Sequence, residues 1–122
     1  MSYAERHTVA VTTAADGSAT AYSPVVTGKI SQIRYVKSNF SNGVDFTITA
    51  EATGETIWTQ NDVNASATVA PRQATHTTAG VASVYAATDG VLDKIALAND
   101  RVKIVIASGG NATTGTFHIV VE

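Results

Sequence analysis

The side chains best suited to metal or acid-base chemistry in this 122-residue chain are three histidines, His7, His76 and His118, and ten carboxylates. The histidines fall on three distant segments, without a second histidine or a carboxylate at ligand spacing, whereas a zinc centre or a nucleophile–base pair needs convergent groups. His118 is more simply an outward residue of a strand. Asp45 and Glu51 share a strand face but stand six residues apart, about 20 Å at about 3.3 Å per residue. Paired carboxylates in glycoside hydrolysis stand roughly 5 to 9.5 Å apart, so these two cannot cooperate. Gly109-Gly110 lacks the strand-to-helix context and the lysine of a phosphate loop, and fits a hairpin turn. Asn61, Asp62 and Asn64, like Asn99 and Asp100, offer oxygen ligands without the spacing of a calcium loop. The expectation is no enzyme: no catalytic residue, no metal and no cofactor.

The aromatic residues suggest contact instead. Trp58 is opposite in phase to Ile57 along a strand, so with Ile57 inward it points outward or caps an open end of the core. There it would stack on a sugar, or lie under a loop or a neighbouring subunit. Phe40 at a turn tip and Tyr3 near the terminus are apolar groups of little use to a monomer. The expected interaction residues are Tyr3, Phe40, Trp58, Asn61, Val69, Arg72 and Tyr85.

Those residues must be held by strands. Threonine occurs 18 times and valine 15 times against two leucines, Leu92 and Leu97; β-branched side chains lose rotamer freedom on a helix and pack well on a pleated sheet. Charged residues make up 15% and the net charge is −2, which gives no field for nucleic acid or an anionic membrane. There is no cysteine, hence no disulfide or thiolate site. The N-terminus lacks the apolar centre of a signal peptide, so synthesis in a cytoplasm is expected.

The clearest local structure is Val44 to Gln60. Val44, Phe46, Ile48, Ala50 and Ala52 alternate with polar residues, Thr53-Gly54 supplies a turn, and Glu55 to Gln60 returns. Residues 5 to 12 form a strand that Asp16-Gly17 turns back onto a partner at 18 to 26, with Ala19, Ala21 and Val25 on one face and Pro24 marking an edge. Gly28 breaks the chain before residues 29 to 37, where Ile33 and Tyr35 share a face and Ile30 and Val36 fall on the other; either a bulge sits near Ser31-Gln32 or both faces are covered. From 61 to 80 the periodicity fades, which implies a long loop or excursion with a short strand at 65 to 69, and a contact surface. Residues 82 to 86 form a strand with Asp89-Gly90 as a turn. Leu92, Ile95 and Ala96 fit a helical turn, and Val91, Ile95 and Leu97 fit a strand equally well. Residues 101 to 108 and 116 to 122 alternate around the 109–115 loop as a second hairpin.

The whole predicts one domain over 1–122, with an N-terminal arm at 1–6. Its fold class is all-β: an antiparallel β-sandwich or jelly-roll-like barrel of about seven or eight short strands. The inward set is Val9, Val11, Ile33, Tyr35, Val44, Phe46, Ile48, Ile57, Val102, Ile104, Ile106, Phe117, Ile119 and Val121.

From Gly28 to Glu122, and most specifically in GVDFTITAEATGE, LANDRVKI and SGGNATTGTFH, the chain resembles small proteins encoded in the head and head-tail gene blocks of tailed bacteriophages and prophages. That resemblance implies a structural role in the virion and brings no catalytic residues with it. It points to a capsid decoration (cement) protein, a homo-oligomer such as a trimer, bound to the major capsid protein or other virion proteins, without nucleic acid or membrane as partner. A head-tail connector or tail component is the alternative within that class, and a carbohydrate-binding or adhesin module is the alternative outside it.

Overall fold

The structure, a computed structural model, describes residues 3–122. As the Thr and Val content predicts, it is all-β, with no helix among the described residues. Twelve strands follow in order: β1 (Glu5–Thr12), β2 (Ala19–Tyr22), β3 (Val26–Lys37), β4 (Val44–Ala50), β5 (Thr56–Val63), β6 (Ala67–Val69), β7 (Arg72–Ala74), β8 (Val84–Ala86), β9 (Asp89–Gly90), β10 (Leu92–Asp100), β11 (Val102–Ala107) and β12 (Thr114–Val121). All pairings are antiparallel. One sheet has the order β1-β12-β3-β10-β7 with β6 also beside β3, a second has the order β2-β11-β4-β5, and β8 and β9 pair apart from both.

The alternating residues of both larger sheets meet in one core. All fourteen residues of the inward set are buried. Tyr35 of the first sheet lies 4.6 Å, centroid to centroid, from Phe46 of the second, and Phe46 lies 5.1 Å from Phe117 back across the gap. Both are edge-on contacts of the kind aromatic quadrupoles favour.

Bulges explain where strict alternation fails. On β3 the pairs Gln32↔Val120 and Ile30↔Val121 leave Ser31 over. The extra residue brings Ile30 onto the same inward face as Ile33, and both are fully buried, so the bulge is the alternative that holds. On β5 the pairs Ile48↔Trp58 and Thr49↔Thr56 leave Ile57 over, which turns two consecutive side chains inward. The strand of residues 44 to 52 ends at Ala50; Ala52 is exposed in the turn.

Several expected partners are corrected. Residues 5–12 do not pair with 18–26: β1 lies along β12, and β2 along β11 in the other sheet. Residues 101–108 and 116–122 are likewise not a hairpin, because β11 and β12 belong to different sheets. The loops that follow β1 and β11 cross between the sheets and are tied together. Thr13 N donates to Thr113 O at 2.9 Å, Gly109 N to Gly17 O at 2.9 Å, and Thr13 Oγ1 to Gly110 O at 2.6 Å. An inward face can oppose its neighbour across the core as well as lie beside it, and only long-range pairing decides which. Val25 does not join Ala19 and Ala21: it is 58% exposed.

Gly28 does not break β3, which runs through it. Its φ is +142°, and a Cβ there would stand 2.8 Å from Val121 Cγ1 and 2.9 Å from Glu122 O, so glycine is what lets β3 and β12 approach. The arm at 1–6 is shorter than expected, since Glu5 and Arg6 already pair with Val121 and Val120; residues 1–2 lie outside the described residues. Residues 61–80 are divided: the first part is built into the sheets, and residues 75–80 open the segment that leaves the core. Residues 61–63 finish β5, β6 flanks β3 and β7 flanks β10, with β6 inside the strand expected at 65–69. Residues 92–100 form strand β10 rather than a helical turn, and Asp89-Gly90 is the return leg β9, with the turn at Ala87-Thr88 before it.

Candidate functional site: an interaction surface

Several of the groups that could do chemistry are engaged in structural work. Asp100 is buried, and its Oδ1 accepts from Ala52 N at 3.0 Å and Arg101 N at 2.7 Å. Ser23, also buried, accepts from Val102 N at 2.9 Å and donates to Pro24 O. Asp45 Oδ1 accepts from Asp62 N at 2.9 Å at a second bulge of β5, where Asp62 has a φ of +58°. Glu51 clasps Arg101, whose guanidinium lies 4.1 Å from the Tyr22 ring centroid. Arg101 is held further above its ordinary pKa, chiefly by its hydrogen bond to Glu51. One carboxylate neighbour escaped the sequence: Glu5 and His7, two apart on one face of β1, approach to 3.6 Å. Among the described residues no three His, Asp or Glu side chains gather as metal ligands do.

Two of the expected contact residues are corrected. Phe40 is not an exposed tip; it is buried and lies 6.1 Å from Tyr35 in a stacked arrangement. Trp58 is neither outward nor a platform. The bulge at Ile57 turns it into the core, 5.4 Å from Phe46, with Nε1 donating to Gln60 Oε1 at 3.0 Å. The other five do not gather into one patch. Tyr3 is 70% exposed before β1, beside a cavity of about 360 Å³ that Glu5, His7 and Val25 also line. Asn61 is exposed on β5, and Val69 of β6 is half-buried against the core. Arg72 Nη1 donates to Ser31 O at 3.1 Å. Tyr85 is 75% exposed on β8.

Tyr85 belongs to the surface that sequence reasoning largely missed. Beyond β7 the chain leaves the core and returns only at Ile95, and none of residues 72–93 is buried. The segment is nevertheless ordered by its backbone. Thr75 N donates to Val91 O, Ser83 N to Thr75 O and Val91 N to Ser83 O, at 2.9 to 3.0 Å, and His76 bridges to Ala82. Five of the eight large hydrophobic residues exposed among the described residues lie here: Val81, Val84, Tyr85, Val91 and Leu92. The available signal was apolar residues on both strand faces between 81 and 92, a pattern that fits neither an edge nor a core strand.

Compared with protein-family models, with curated proteins and with solved structures, the chain matches none.

Proposed function

We propose that this protein is a structural component of a tailed-bacteriophage virion, made in the host cytoplasm, and specifically a capsid decoration (cement) protein acting as a homo-oligomer on the major capsid protein. The observation that carries the reading is the projecting segment of residues 75–91, a hydrogen-bonded arm with no core of its own that concentrates the exposed apolar side chains. Apolar surface of that kind marks a protein contact, and many modest contacts repeated over a lattice give strong attachment. The family resemblance supplies the setting.

The fold reading is a β-sandwich of jelly-roll type. With the four shortest strands set aside, the remaining eight fall in the orders 1-8-3-6 and 2-7-4-5, which is the order produced when one long hairpin is wrapped on itself. That architecture occurs in shells and in lectins, so it supports assembly without deciding it. Sugar binding loses its main support with Trp58 buried.

The test is binding to expanded empty heads of the phage or prophage that encodes the chain. Saturable occupancy of regular lattice sites, abolished when residues 76–90 are excised, is the expected result. Retention on a glycan array with no binding to heads would reverse the assignment, and attachment only at the portal vertex would replace it with the connector reading.

A further inference from the structure

Strand alternation sends Arg6, Thr8 and Ala10 of β1, Thr116, His118 and Val120 of β12, and Gln32, Arg34 and Val36 of β3 to the solvent side of the six-stranded sheet. The register aligns them in rows: Thr8, His118, Arg34 and Thr68 across four strands, and Arg6, Val120 and Gln32 across three. No carboxylate occurs among these positions, although the chain as a whole is acidic. A groove of about 180 Å³ opens there, lined by Arg6, Gln32, Arg34, Val36, His118 and Val120. Val36, Val120, His118 and Gln32 are half-buried as its floor, and Arg6 and Arg34 are exposed at its sides.

Neither arginine is in an ion pair with the described residues. Arg34 Nη1 donates to Thr68 Oγ1 at 2.7 Å, and its other donors meet no acceptor among the described residues. The two Cα positions are diagonal across β12, about 12 Å apart from the usual strand spacing and rise, so both guanidiniums can swing onto one guest. Elsewhere three cations face carboxylates: Lys94 meets Glu122, Arg101 meets Glu51, and Lys29 lies 4.0 Å from Asp93.

We propose that this groove is a docking site for an acidic segment of a partner protein, with Arg6 and Arg34 receiving its carboxylates and Val36 and Val120 receiving the aliphatic stems. Guanidinium forks match carboxylates in shape and charge, and the two valines in the floor suit the aliphatic stem of glutamate. Two arginines in a short groove do not make the basic stripe that a nucleic acid backbone requires. The groove lies on β1, β12 and β3, whereas the arm of residues 75–91 springs from the β7–β10 side of the same sheet. The inference therefore stands or falls independently of the virion reading.

A hexaglutamate peptide titrated into the intact protein at low salt, followed by NMR, tests it. The expected result is saturable shifts centred on Gln32, Arg34 and His118, a steep loss of affinity with added salt, and at least tenfold weaker binding in the Arg6→Gln/Arg34→Gln double variant. Lys103→Gln, on the other sheet, leaves affinity unchanged. No binding by the wild type, undiminished binding by the double variant, or tighter binding of inorganic phosphate or of a single-stranded oligonucleotide than of the peptide would each overturn it. Both arginines are exposed, so the variants keep the fold, and the wild-type shifts locate the site without them.

Discussion

Phe40 closes over Gly115 so tightly that a Cβ on the glycine would stand 2.5 Å from Phe40 Cε2. The ring is fixed from its other side by Tyr35, so it cannot yield cheaply. Gly115→Ala is expected to destabilise the protein by about 1 to 3 kcal/mol, the usual range for overpacking. Phe40→Leu in the same chain should restore part of that loss, a coupling measurable by urea unfolding of the four members of the cycle.

The Tyr35 ring packs against Phe40, Phe46 and Phe117, and its buried hydroxyl has no hydrogen-bond partner among the described residues. Removing it should cost nothing and is expected to stabilise by about 1 kcal/mol, since an unpaired buried polar group is unfavourable. Burial also pushes its pKa up to about 12. A raised folded pKa gives stability that is complete below the unfolded value near 10 and lost as the pH climbs toward 12. Thermal unfolding from pH 9 to 12 should therefore show the wild type losing stability faster than Tyr35→Phe; parallel curves would refute this.

Trp58→Ala is expected to cost about 3 to 5 kcal/mol, the loss typical of a large core aromatic. A surface tryptophan would lose well under 1 kcal/mol. The wild-type fluorescence should be blue-shifted and poorly quenched by iodide.

Replacing His76–Gly90 by Asn-Gly would join Thr75 to Val91, which already face each other, through a two-residue hairpin turn. Such a protein should melt within about 3 °C of the wild type, because no buried residue is lost, yet fail to attach to heads. Deleting residues 61–78 instead removes β6, β7 and the end of β5, including buried Val63 and Pro71, and is expected to unfold the chain. Circular dichroism distinguishes the two.

How far the fold can be seen in the residue order depends on distance along the chain. The inward positions were legible, from Val9 to Val121, because a two-residue period needs only neighbours to detect. Partners were not. Asp16-Gly17 and the glycine-rich loop at 109–115 look locally like hairpin turns, whereas the pairing of β1 with β12 and of β2 with β11 depends on residues far away. Trp58 escapes the alternation through a single extra residue, since the bulge at Ile57 reverses the phase of β5 until the second bulge at Asp62 restores it for Val63. The arm is half visible: periodicity fades over 61–80, but the shortness of β6 and β7 hides the strands that precede the arm, and the apolar residues at 81–92 follow no period. The groove between Arg6 and Arg34 was invisible for the same reason as the partners, because it exists only once three strands are side by side.

The nested pairing of β4 with β5, β3 with β10, β2 with β11 and β1 with β12 has a kinetic meaning. Only the innermost pair is local, so the turn at Thr53-Gly54 is the cheapest place to begin, and each later pair closes a longer loop. Zipping outward from that turn, the molecule acquires its last ladder when the opening strand meets the closing one. On the ribosome β1 must wait, with Val9 and Val11 uncovered, until β12 has been made, and chaperone capture during synthesis should favour that waiting end.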